Sequence, residues 1–147
     1  MLREGYDVGR LNEGFQALIE SLGLDYLLID THPGVNEETL LSIAISDLFL
    51  LILRPDNQDF QGTSVTVELA RKLDVAEICV VINKIPSTMD VDLLRAQVEA
   101  AYGAPVIGTL PLTEEMAHLA SSGLFVNRHP DHPLSNEIRR IAQRILG

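Results

Sequence analysis

Four short apolar runs recur along the chain: Leu24-Asp-Tyr-Leu-Leu-Ile29, Leu48-Phe-Leu-Leu-Ile-Leu53, Ile78-Cys-Val-Val-Ile82 and Pro105-Val-Ile-Gly-Thr109. A half-exposed strand alternates apolar and polar residues, so runs without regular alternation predict strands covered on both faces. Between successive runs, apolar residues return at helical spacing. Strand and helix in that alternation mean a parallel sheet whose right-handed crossovers lay helices against it. The expected fold class is therefore α/β, three layers deep (α/β/α), on a parallel sheet of four strands, 25–30, 48–53, 77–83 and 105–109.

The helical segments have their own start and stop signals. Val8, Leu11, Phe15, Leu18, Ile19 and Leu22 make one stripe, with Asp7 placed to cap and Gly23 to stop, which predicts a helix over 8–22. Asn36 can cap a second helix, 37–46, whose acidic first turn (Glu37, Glu38) suits the helix dipole. Its Leu40, Leu41, Ile43, Ala44 and Ile45 make it apolar nearly all round, hence buried. Residues 54–62 read as a polar loop and 62–73 as a third helix. Asp90 caps a fourth, ended by Gly103, and Thr113-Glu-Glu115 opens a fifth. Residues 124–132 read as an irregular loop before a last helix striped by Leu134, Ile138, Ile141, Ala142, Ile145 and Leu146. The 147 residues form one expected domain, 1–147, with no linker or repeat to divide it.

Charge excludes some functions. Twenty-one acids against eleven bases give a net charge of -10. Such a surface repels phosphate backbones and anionic lipid, so neither direct nucleic-acid binding nor membrane association is expected. The single cysteine, Cys79, lies inside an apolar run and reads as a buried small hydrophobe in a reducing compartment, the cytoplasm.

Every expected strand ends on residues with chemistry. Asp30 closes the first, ahead of Thr31, His32, Pro33 and Gly34. Ligands bind at the carboxyl ends of strands in open parallel sheets, and a carboxylate there can hold a hydrated cation. The same residues also suit an aspartate that merely ends a strand before a Pro-Gly turn. Asp30-Thr-His-Pro-Gly34, Ser46-Asp47, Arg54-Pro-Asp56, Val80-Val-Ile-Asn-Lys84 and Val106-Ile-Gly-Thr-Leu-Pro111 fall in an order and spacing that resembles the MinD/ParA family of P-loop ATPases. Members of that family position cell-division sites, chromosomes, plasmids and other cargo. The resemblance covers roughly residues 25–146.

What the resemblance implies is specific. Asp30 is the Walker B carboxylate, holding magnesium through water, and Thr31, His32, Pro33 and Gly34 form the second switch. Asn83 and Lys84, with the turn at Pro111 and Leu112, bind adenine. ATP and magnesium are the implied cofactors of the complete family protein, and a homodimer and a protein partner of a positioning system are the implied assemblies. Two departures stand out. His32 replaces the commoner proline, and the 147 residues contain no glycine-rich loop with lysine and Ser/Thr to cradle phosphates. The expectation is a C-terminal part of an incomplete P-loop NTPase fold, with no catalytic residue in this chain alone and no binding or hydrolysis of ATP by it unaided. In the family the phosphate-loop strand lies between the strands matching 25–30 and 48–53. The further expectation is that 25–30 pairs directly with 48–53, and that a second copy covers the helices left bare.

Other motifs have plainer readings. Asn83-Lys84 would read guanine only with aspartate at 86, where Pro86 stands. His129 and His132 have a metal-like spacing but suit a loop and a helix cap, and Arg139, Arg140 and Arg144 suit a packed amphipathic helix. Asp59, Gln61 and Thr63 would face a partner's nucleotide in a family-type dimer, or form an ordinary polar loop. Two other classes stay open: a phosphoacceptor receiver built on Asp30 and the Lys84-x-Pro86 turn, and a non-catalytic interaction module that kept the fold.

Overall fold

The computed structural model describes residues 8–32, 34–120 and 122–147. Asp7, the expected cap of the first helix, and Pro33 of the expected switch lie outside them. The order is α1 (Val8–Leu22), α2 (Glu37–Ala44), β1 (Leu48–Leu53), α3 (Asn57–Lys72), β2 (Glu77–Ile85), α4 (Val91–Tyr102), β3 (Val106–Pro111), α5 (Glu114–Leu119), α6 (Phe125–Arg128) and α7 (Pro133–Leu146).

Local chemistry sets most boundaries. The Asn36 side chain accepts from Thr39 N at 2.7 Å and starts α2. Asp90 accepts from Asp92 N and Leu93 N to start α4, and Gly103 ends it in the left-handed conformation at φ 57°. One expectation fails here: α3 begins at Asn57 rather than near residue 62. Asp56 caps it, accepting from Asp59 N at 2.9 Å, and the polar first turn of that helix carries no stripe to betray it. Within the expected loop 124–132, Phe125–Arg128 forms one short helical turn.

The sheet is parallel, in the order β1-β2-β3. It has three strands rather than the expected four. The run 24–30 makes no strand ladder and does not pair with β1, contrary to expectation. Tyr26 is 54% exposed and Leu28 86% exposed. An apolar run becomes a strand only where a neighbouring backbone takes its N–H and C=O groups. β1 finds such a neighbour on its β2 side, from Leu48 opposite Glu77 to Leu53 opposite Ile82; the run 24–30 has none among the described residues. It is tied instead near the end of α7, where the Tyr26 hydroxyl donates to the Leu146 carbonyl at 2.9 Å.

Alternation along β2 divides the layers. Val80 and Ile82 join the main core with Leu53, Val67 of α3, Leu94, Val98 and Tyr102 of α4, and Val106. Val81 points to the opposite face, in register with Gly108. There α7 comes so close that a Cβ on Gly108 would lie 2.3 Å from two carbons of Ile141. Cys79 is buried as expected, and burial, helped by Glu77, pushes its thiol up to about 11. α2 is well covered at Thr39, Leu41 and Ile43, whereas Leu18 and Leu22 of α1 are exposed.

Candidate functional site

The carboxyl ends of β2 and β3 bring four of the expected site residues together. From Ile82 to Ile85 β2 takes three steps while β3, from Thr109 to Pro111, takes two, so Asn83 and Lys84 sit in a bulge. Lys84 has φ 56°, a left-handed conformation that costs a lysine about 1 kcal/mol or more. Its N–H, released from the ladder, donates to Asn83 Oδ1 at 2.8 Å. Pairing then resumes as Leu112 N donates to the Ile85 carbonyl at 2.9 Å, which fastens the Pro111-Leu112 turn to β2. Beside it lies an open recess of about 220 Å³, walled mainly by Ile85, Pro86, Met89, Val91, Thr109 and Pro111. A flat, largely apolar group fits such walls, with the polar edge of Asn83 and Lys84 on the neighbouring strand. Met89, Val91 and Thr109 were not read from the sequence. The signal available for the first two was the Asp90 cap, which turns them toward the strand ends.

A second recess, about 200 Å³, lies at Asp30. Thr31, His32, Asn36, Glu38, Thr39 and Ser42 complete its wall, so the expected switch segment meets the first turns of α2. Gly34 is in the positive-φ region at 99° and turns the chain there. The donors are almost all oxygen, which suits a hard cation such as magnesium. Among the described residues no three His, Cys, Asp or Glu side chains gather into a metal cage. Magnesium does not need one, since it keeps most of its water and takes one or two carboxylates.

Buried hydroxyls mark both regions. Among the described residues, Thr39 Oγ1 and Thr113 Oγ1 are buried with no hydrogen-bond partner. One lines the Asp30 recess and the other directly follows Leu112. Native proteins leave few buried polar atoms unpaired, and those few are often functional.

The remaining candidates are used structurally. Asp59 is bound to Arg54 through the guanidinium at 3.0 and 3.2 Å and through Arg54 N at 3.1 Å. That side-chain hydrogen bond holds the Asp59 carboxyl below the usual carboxylate range, against an opposing effect of burial. Thr63 is buried and Gln61 exposed. His132 Nδ1 accepts from Leu134 N at 3.1 Å and caps α7, and His129 and His132 both pack their rings on Phe125. Arg139 and Arg140 bond to Pro130, Asn136 and Glu137. No helix among the described residues is long and apolar enough to cross a membrane.

No protein-family model matches the chain. The backbone, however, superposes on the MinD cell division protein of Aquifex aeolicus with a TM-score of 0.81 at 19% identity, over 96% of this chain and 61% of that one. The match to the MinC:MinD cell division protein complex of the same organism gives 0.83 at 19%, over 96% and 59%. A ParA family ATPase from Chlorobium tepidum gives 0.71 at 15%, over 95% and 56%. The chain has the fold of the MinD and ParA ATPases. In sequence it is 25% identical over 125 residues to an uncharacterized ATP-binding protein of Methanocaldococcus jannaschii, over 84% of this chain and 47% of that protein. It is 27% identical over 139 residues to an iron-sulfur cluster carrier protein of Saccharolobus solfataricus, over 84% and 46%. The chain thus spans about half the length of the curated relatives it matches. Its MinD/ParA likeness extends over both recesses, and Asp30, Asn83 and Pro111 stand where the motifs had put them in sequence order.

Proposed function

We propose that this chain is the Walker B and nucleobase-reading portion of a MinD/ParA-like ATPase domain, its C-terminal part, of the kind that positions division sites, chromosomes, plasmids or other cargo in the cytoplasm. The observation that carries the reading is the bulge at Asn83-Lys84, a strained backbone held beside the Pro111 turn and an apolar recess. Strain of this sort persists where the site uses it. Adenine enters the recess with its polar edge toward Asn83 and Lys84, while Pro111 and Leu112 close one side. Asp30 holds magnesium through water, with Thr31, His32, Pro33 and Gly34 as the switch. Magnesium bound there supplies neutralisation of phosphate charge. The 147 residues contain no phosphate-cradling loop of the glycine-lysine type, so the chain by itself holds ATP weakly and turns none over. The complex printed for the Aquifex neighbour supports a protein partner, and ATPases of this fold support a homodimer.

A non-catalytic interaction module is the second reading, favoured by the exposed Leu22, Tyr26 and Leu28. Amide NMR titration separates the two. Millimolar ATP is expected to shift Asn83, Lys84 and Leu112, and Asn83→Ala to weaken ATP several-fold while leaving inorganic triphosphate unchanged. Equal losses for both ligands, or no shift at these residues, would refute the base-reading assignment.

A further inference from the structure

We infer that Thr39 is a positioning residue for a hydrated divalent cation at Asp30, its buried hydroxyl holding one water of the cation's shell; this rests on the cation site just proposed. Thr39 is 5% exposed and lines the recess with Asp30. Its neighbours are accounted for: Asn36 Oδ1 accepts from Thr39 N, and the Ser42 hydroxyl donates to the Glu38 carbonyl at 2.9 Å. Thr39 Oγ1 has no partner in the protein. A helical threonine commonly relieves this by donating to a carbonyl one turn back, as Thr66 does to Gly62 at 3.0 Å. Thr39 does not, and valine of the same shape would be the more stable residue there. The hydroxyl is therefore retained against stability, which calls for a ligand.

The charge around it selects that ligand. Asp30 and Glu38 line the recess and Glu37 shares the first turn of α2, so an anion is opposed despite the helix N-terminus. Water on a divalent cation points its hydrogens outward and needs acceptors. The Asp30 carboxylate and Thr39 Oγ1 are acceptors of that kind, on the two sides of the recess.

The test uses the chain itself, with Mn²⁺ as the probe and no nucleotide. Thr39→Val is expected to melt at a higher temperature than wild type in chelator. It is also expected to weaken Mn²⁺ roughly tenfold, as loss of an outer-shell partner does, read by paramagnetic broadening of the Thr31 and His32 amides. Thr39→Ser should restore the affinity, and Asp30→Asn should abolish the broadening. Mn²⁺ affinity unchanged in Thr39→Val but lost in Asp30→Asn would overturn the role of Thr39 and leave the cation site standing. Absence of broadening near Asp30 in the wild type would overturn both. A lower melting temperature for Thr39→Val in chelator would show that the hydroxyl has a protein partner, and would also overturn the inference.

Discussion

Gly108→Ala adds a single methyl group where α7 crosses β3. Built on the backbone, that carbon would lie 2.3 Å from both Cδ1 and Cγ1 of Ile141. Carbon atoms pack best at about 3.5–4.0 Å, so something must give by more than about 1 Å. Ile141 is 8% exposed and has little room to turn away. Forcing a methyl into a packed core typically costs about 1–3 kcal/mol, and for a chain of this size each kcal/mol lowers the melting temperature by about 2–4 °C. The expected drop is therefore about 2–12 °C, measured by circular dichroism with denaturant titration for the free energy. The displacement should also reach the base recess, because Glu137 on α7 accepts from Thr109 N at 3.2 Å and Thr109 lines that recess. Ile141→Ala removes both colliding carbons. In that background Gly108→Ala should cost almost nothing, giving a coupling of about 1–3 kcal/mol in a double-mutant cycle. A Gly108→Ala variant within about 0.5 kcal/mol of wild type, or strictly additive changes, would refute the close approach as the reason for glycine.

Two further outcomes follow from the structure. Asp59 has its folded pKa lowered by Arg54, so its contribution to stability is complete above the ordinary aspartate pKa of about 3.9 and disappears as pH falls through the lower folded value. The melting-temperature gap between wild type and Asp59→Asn should accordingly be open at pH 7 and close in strong acid; a gap that does not change with pH would contradict the ion pair. The exposed Leu18, Leu22, Tyr26 and Leu28 should drive association into a dimer. Light scattering after gel filtration should detect it, Leu28→Glu should weaken it, and a clean monomer at high concentration would rule it out.

Residues close in sequence settled much of this protein on their own. The limits of α1, the Asp90 cap and Gly103 stop of α4, and the places of β1, β2 and β3 follow from periodicity and capping, which act within one or two turns of chain. So did the order of Asp30, Asn83 and Pro111 at successive element ends. Tertiary structure decided what depends on a distant partner. Leu24–Asp30 has the composition of a strand yet forms none, because composition counts side chains while a strand needs a neighbouring backbone. The polar first turn of α3 concealed a helix that its Asp56 cap and the Arg54–Asp59 pair maintain. The bulge that frees Lys84 N for Asn83 exists only because β2 and β3 run out of register, and the unpartnered Thr39 hydroxyl is visible only once α2 is folded against its surroundings. Gly108 could be read as a strand glycine from the sequence, but its reason, Ile141 on a helix more than thirty residues later, is a contact made only by packing.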